Sequence, residues 1–195
     1  MPEIEEYYKY DELPVALVIA GMREIEQYGI AGFSLRRVAN ACGVSCAAPY
    51  RHFKNKSGLI LAIIEYVNRQ WSLLELQIAE AFRGDLRRQI VELCIANIRF
   101  WTANPNFRHI ILMDEAGLDD RQRTEKSKFF EKTRELISEL CRAEGFGEEK
   151  EKILAFMAQS TIYGATRMLG NGELQNTPES FAMLHRCFEQ MFKAE

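Results

Sequence analysis

The side chains with the widest chemical repertoire lie close together in the first third of the chain. Cys42 and Cys46 are four residues apart, and His52 follows six residues later. Thiolates and an imidazole are zinc ligands, but a zinc site ordinarily takes four, and no fourth lies nearby. The spacing therefore predicts no metal. The five cysteines, Cys42, Cys46, Cys94, Cys141 and Cys187, are odd in number and scattered, which is a poor disulfide framework. Each is expected to behave as a small apolar residue or to face solvent. His52, His109 and His185 are far apart in sequence. No phosphate-binding Gly-rich loop, zinc-protease helix motif or nucleophile elbow accompanies them, so no cofactor is expected and an enzyme is not the favoured reading, though distance in sequence leaves a helical enzyme as a lesser alternative.

What the same region does offer is positive charge. The chain has 195 residues, 25 Lys+Arg, 28 Asp+Glu and a formal net charge of −3. From Gln27 to Ile64 there is no Asp or Glu, while Arg36, Arg37, Arg51, Lys54 and Lys56 give +5, leaving −8 elsewhere. A local basic patch is the footprint of a phosphate-binding surface, although a charge run can also be a plain solvated face.

Two short helices must position these cations. Ser34 caps the first, which runs to Cys42. Gly43-Val44 makes a tight turn, and Ser45 is expected to cap a second helix ending near Phe53. Val38 and Ala39 face inward, and the small Ala39 lets the second helix approach. This is a helix-turn-helix, whose second helix enters the DNA major groove. A preceding helix over Glu12–Tyr28, with Asp11 as a possible cap, supports the pair.

The run Phe33-Ser34-Leu35-Arg36-Arg37-Val38-Ala39-Asn40-Ala41-Cys42-Gly43-Val44-Ser45, followed by Pro49-Tyr50-Arg51-His52-Phe53-Lys54-Asn55-Lys56, resembles the TetR family of transcriptional regulators. The resemblance covers about Leu13 to Tyr66. It implies a homodimer reading a palindromic double-stranded operator, and a C-terminal domain whose small-molecule effector releases the DNA. It implies a repressor more often than an activator. On this reading residues 1–57 form the DNA-binding domain and residues 58–195 a helical ligand-binding and dimerisation domain. Ser34, Arg36, Arg37, Ser45, Tyr50, His52, Lys54 and Lys56 then touch DNA, largely at phosphates. Cys46, Ala47 and Pro49 lie in the leading turn of the recognition helix. Because the side chains at 46–48 are small, Arg37, Arg51 and DNA shape are expected to carry much of the specificity. Tyr50 and His52 could instead pack between helices. Pro49 stands where the family more often has an apolar residue such as Leu, and it predicts a tightened or irregular first turn.

The rest of the chain is acidic and reads as helices throughout, with no convincing strand, so the fold class is all-α. A long helix begins near Ser57 and runs to about Phe82. Asp85 caps another, Pro105 opens a shorter one, and a charged amphipathic helix from Asp119 or Asp120 reaches Cys141. Helices over Glu148–Leu169 and from Thr177 to the end complete the set. The resemblance pairs the last two with their copies in a dimer, through Ile153, Met157, Met168, Phe181, Leu184, Phe188 and Met191. The same stripes would also serve as ordinary monomer core. Trp71, Trp101, Met113, Phe156 and Tyr163, with polar Asn97, His109, Gln159 and Arg167, are the candidates to line an effector cavity. His109 could equally be a hydrogen-bonded core or surface residue. A helix-turn-helix protein without ligand control, whether activator or architectural, needs no such cavity.

No apolar run approaches the roughly 20 residues that span a bilayer. The N-terminus is acidic where a signal peptide is basic. A cytoplasmic protein with no membrane partner is expected.

Overall fold

The computed structural model describes residues 12–105 and 118–193. Among these there are helices and no strand: α1 (Glu12–Tyr28), α2 (Leu35–Ala41), α3 (Ala48–Phe53), α4 (Lys56–Ala81), α5 (Leu86–Ala103), α6 (Asp120–Ser127), a 3-10 turn (Lys128–Phe130), α7 (Glu131–Ala143), α8 (Glu148–Asn171) and α9 (Pro178–Met191). Asp11 and all but the first residue of the segment expected after Pro105 lie outside the described residues. The chain divides into two compact units at Val67, with the stretch up to Lys126 rejoining the first. α4 supplies residues to both.

In the first unit α1 packs on α2 and α3. Leu17, Met22 and Ile25 of α1, Leu35, Val38 and Ala39 of α2, and Leu59, Ile60, Ile63 and Ile64 of α4 are all buried. Ser34 caps α2, its hydroxyl accepting the Arg37 N–H at 3.4 Å. Gly43 turns the chain at φ 65°, and the Val44 N–H then donates to the Ala39 carbonyl at 3.1 Å.

The corner between α3 and α4 is tight. Lys54 has φ 65° and ψ −45°, and the Asn55 N–H donates to the Phe53 carbonyl at 2.7 Å. This is a γ-turn with positive φ, a strained geometry for a residue with a side chain. Asn55 then caps α4, its Oδ1 accepting the Gly58 N–H at 2.8 Å. A Cβ on Gly58 would stand 2.0 Å from the Phe53 carbonyl oxygen, so only glycine fits.

α6 opens with a reciprocal cap. The Gln122 N–H donates to Asp119 Oδ1 and the Asp119 N–H to Gln122 Oε1, both at 2.9 Å. Ser57 at the start of α4 donates its hydroxyl to the other Asp119 oxygen, holding that carboxyl below its usual value. Gln122 donates to the Ser57 carbonyl at 2.8 Å.

In the second unit α5 is the central helix, packed by α7, α8 and α9. It is apolar on several sides, with Ile90, Leu93, Cys94, Ile98 and Trp101 essentially without exposure. The charged helix expected from Asp119 to Cys141 is interrupted at Lys128–Phe130. Phe129 and Phe130 are adjacent, yet both are buried. At the last helix Thr177 caps and Pro178 stands in the first turn, as the sequence suggests.

Candidate functional site

α3 carries the exposed face of the helix-turn-helix. Tyr50, Arg51 and His52 are all exposed, Tyr50 at 55% despite its apolar ring. A large ring left in solvent on a six-residue helix is poor packing but suits a partner surface. That exposure places Tyr50 and His52 away from the packing role that the sequence left open. Arg36 and Lys54 are exposed as well, and neither they nor Arg51 form an ion pair among the described residues.

Other residues expected at this surface are differently employed. Arg37 is committed to the protein. Its guanidinium bonds Glu24 and the Gly32 carbonyl and lies 4.2 Å over the Tyr28 ring. Glu24 is 7% exposed and also accepts the Ser34 N–H at 3.0 Å. Its carboxylate raises the Arg37 pKa further. Arg37 therefore fixes the α1–α2 corner, and the expectation that it reads bases is corrected. Lys56 does open α4, but its ammonium donates to the Ile30 carbonyl at 2.6 Å and lies 5.8 Å from the Phe33 ring. It ties down the loop before α2.

Ser45 does not cap α3. The cap position is Ala47, with no side-chain bond, and the Ala48 N–H donates to the Ser45 carbonyl at 2.9 Å. The cause is Pro49. It has no N–H to give, so the helix starts late and places the ring in the first turn, where none is needed. Cys46 and Ala47 thus occupy an exposed turn before the helix rather than its leading turn, and Pro49 itself is buried.

The expected effector residues divide. Trp71, Asn97 and Trp101 are buried and come together. Trp71 meets Phe100 at 5.5 Å between centroids, Phe100 meets Trp101 at 4.9 Å, and Trp101 meets Phe129 edge-on at 5.1 Å. The Trp101 indole donates to Asn97 Oδ1. Tyr163 is half-buried beside Phe130 at 5.1 Å and within 3.5 Å of the Gln159 amide. Phe156, by contrast, is 73% exposed on α8, and Arg167 is exposed, so neither lines an interior in the single chain. His109 and Met113 lie outside the described residues. Two open clefts, of about 240 Å³ and about 330 Å³, adjoin Arg87, Phe192 and Lys193 and are lined by none of the expected effector residues.

The expected dimer residues divide too. Ile153, Met157 and Met168 are exposed on α8. Phe181, Leu184 and Phe188 are buried within the unit and belong to its core, which corrects their assignment, and Met191 is half-buried. Exposed Met183 on α9 was not anticipated.

One residue escaped the sequence reading altogether. Glu75, one turn beyond Trp71 on α4, has a fully buried Oε1 with no hydrogen bond among the described residues. Burial pushes its carboxyl up to about 7; Trp71 and Lys132 oppose the shift, while Glu135 and Glu131 reinforce it. The available signal was its i+4 spacing from Trp71.

A second helix with a basic, exposed face, set by a glycine turn against the buried face of a first helix, defines a helix-turn-helix DNA-binding unit. Residues 17–63 match the model of bacterial regulatory proteins of the tetR family. Through this unit the chain is similar to the TetR family of transcriptional regulators. It is 36% identical over 74 residues to the HTH-type transcriptional regulator AcrR of Shigella flexneri, a match spanning 38% of this chain and 34% of that protein. A TetR family transcription regulator structure from Shewanella sp. PV-4 superposes with a TM-score of 0.73 at 19% identity, over 90% of this chain and 95% of the other. FadR from Bacillus subtilis, in complex with stearoyl-CoA, gives 0.70 at 12% identity over 92% and 97%. At such identities these structures share the fold. No helix of the described residues is long and apolar enough to cross a membrane.

Proposed function

We propose that the protein is a ligand-responsive repressor that binds a two-fold symmetric operator as a homodimer and leaves it when a small-molecule effector binds. The observation that carries this reading is α3, with Tyr50, Arg51 and His52 exposed in a stretch free of acidic residues. Tyr50, His52, Arg36 and Lys54 bind phosphates, with Ser34 at the cap of α2, and Arg51 is the side chain best placed by type to reach base edges. Residues 1–57 act as the DNA-reading domain and residues 58–195 as the effector and dimer domain.

A single six-residue helix offers too few contacts for a specific site, so a second copy is needed. The exposed Ile153, Phe156, Met157 and Met168 of α8, with Met183 of α9, supply an apolar surface for it. Effector control is supported by FadR, which shares the fold and was solved with stearoyl-CoA. Selection of bound sequences from random DNA tests the reading. It should return an inverted repeat bound by a dimer. Recovery of asymmetric sites only, or a monomer on the DNA, overturns it.

A further inference from the structure

Four helix ends of the second unit border one cleft of about 240 Å³. Arg87 stands in the first turn of α5, Leu140 in the last turn of α7, Lys150 in the first turn of α8 and Met191 at the end of α9. The local sequence builds the walls. α7 closes on Gly145 at φ 70°, where the Phe146 N–H donates to the Cys141 carbonyl at 2.8 Å and the Gly145 N–H to the Arg142 carbonyl at 3.3 Å. This motif turns the residue after the glycine back toward the last helical turn, and Phe146 borders the cleft with Leu140. Arg87 fixes another wall. Its Nε donates to the Phe192 carbonyl at the end of α9, and its Nη2 pairs with Glu144 just past α7, both at 2.9 Å. One guanidinium thus holds the ends of α7 and α9 to the start of α5.

The lining is one-sided in charge. Arg87, Lys150 and Lys193 border the cleft, and no Asp or Glu does. Glu144 offsets Arg87, and Glu148 is bonded to Lys152 at 2.6 Å. Glu149 and Glu151 flank Lys150 on α8 but are not part of the lining, so Lys150 and Lys193 set the sign inside it. The remaining surface is mostly apolar, from Leu140, Phe146, Leu154, Met191 and Phe192, with the Lys150 ammonium 5.5 Å from the Phe146 ring centroid. The neighbouring cleft of about 330 Å³ differs. Asp85 and Glu189 line it beside Arg87, Arg88 and Lys193, and Arg88 is already bonded to Glu92 at 2.8 Å, so its charges balance. Two ammonium groups over an apolar floor suit an anion with an apolar body. A volume below the roughly 300–1,000 Å³ of drug-sized sites limits that body to one ring or a short chain.

We propose that this cleft is a ligand site separate from the Trp71–Trp101 cluster, and that it takes a small organic carboxylate, its charge held by Lys150 and Lys193 and its body by Phe146, Leu154 and Met191. The site goes beyond the regulator reading and does not depend on it. Occupied, it links the start of α8 to the end of α9 and stabilises the folded second unit by mass action.

Met191 borders the cleft and is one of seven methionines, so carbon-13 labelling of the methionine methyls in the full chain reports on it. Its signal is identified by its loss in Met191→Leu. The probes are 4-fluorobenzoate and hexanoate. They are set against 4-fluorobenzyl alcohol, which is neutral, and inorganic phosphate, which has charge without an apolar body. At least one carboxylate should move the Met191 signal, with an affinity about tenfold or more above both the alcohol and phosphate. Lys150→Gln and Lys193→Gln together should remove that preference and leave the other methionine signals and the far-UV circular dichroism in place. A Met191 signal that stays still up to about 20 mM of either carboxylate overturns the site. Equal affinity for the alcohol, or a preference that survives the double substitution, overturns the role of the two lysines and the proposal with it. Phosphate bound as tightly as the carboxylates overturns the ligand class. Both tryptophans of the chain stand in the aromatic cluster, so a carboxylate that quenches their fluorescence while Met191 stays unmoved binds there and overturns the proposal. None of these outcomes bears on the regulator reading, which the operator selection decides.

Discussion

Arg37 and Arg51 have the same side chain and opposite employment. Arg37 is spent on Glu24, Gly32 and Tyr28, while Arg51 faces solvent. Arg51→Ala should leave thermal stability unchanged and weaken operator binding by about 1–3 kcal/mol, read by fluorescence anisotropy. Arg37→Ala should do the reverse at first hand. It strands a buried Glu24, so the melting temperature falls, and DNA affinity drops only as the α1–α2 corner loosens. Glu75 gives a pH signature. Its folded carboxyl holds a proton up to about pH 7, whereas the unfolded chain loses its proton near pH 4.5. Between those values the folded state binds more protons, so this contribution to stability is full below about pH 4.5 and is lost as pH rises through 7. Denaturation midpoints followed across that window should fall with pH in the wild type and fall less in Glu75→Gln. An equal decline in both proteins would assign the slope to other groups.

At the scale of the elements, the corner between α3 and α4 combines one strained residue with one that has no alternative. Lys54→Gly should relieve the positive φ and stabilise the protein by about 1 kcal/mol. Gly58→Ala should destabilise it by about 2 kcal/mol or more, because the clash is with backbone and cannot be turned aside. Urea unfolding of both variants checks the pair, and a neutral Gly58→Ala would show that the corner opens freely. These elements were largely legible from the sequence because their signals are local: Ser34 and Thr177 as caps, Gly43 at the turn, apolar spacing along α1. Of the two boundary errors, one has a plain physical cause: Pro49 delays α3 past the cap that Ser45 suggested. The other is a 3-10 turn at Lys128–Phe130 that interrupts a helix whose charge pattern is unbroken. The employment of Arg37 and Lys56 was not legible, since their partners Glu24 and Ile30 are fixed by tertiary packing. Nor was Glu75, an ordinary surface residue in any composition count. The α9 stripe of Phe181, Leu184 and Phe188 shows the limit from the other side: periodicity reveals a buried face without revealing what buries it.

For the molecule as a whole, the +5 segment overstates the charge available to DNA. Arg37 and Lys56 are internally bonded, which leaves Arg36, Arg51 and Lys54 in each chain. The proposed dimer would then neutralise about six phosphates, and the slope of log affinity against log salt should be about −5. A slope near −9 would mean that Arg37 and Lys56 release their partners on DNA. Phe156→Asp should place charge in the proposed contact between copies. Sedimentation should then show a monomer, with operator affinity lower by about a hundredfold or more. A dimer of undiminished stability would move the interface off α8. The Phe53 carbonyl has one further consequence, for comparison across distant relatives. It allows position 58 an alphabet of a single letter. Any chain that turns this corner in the same way must spell glycine there, so Gly58 is a fixed point from which to count when aligning folds that share as little as 12% of their residues.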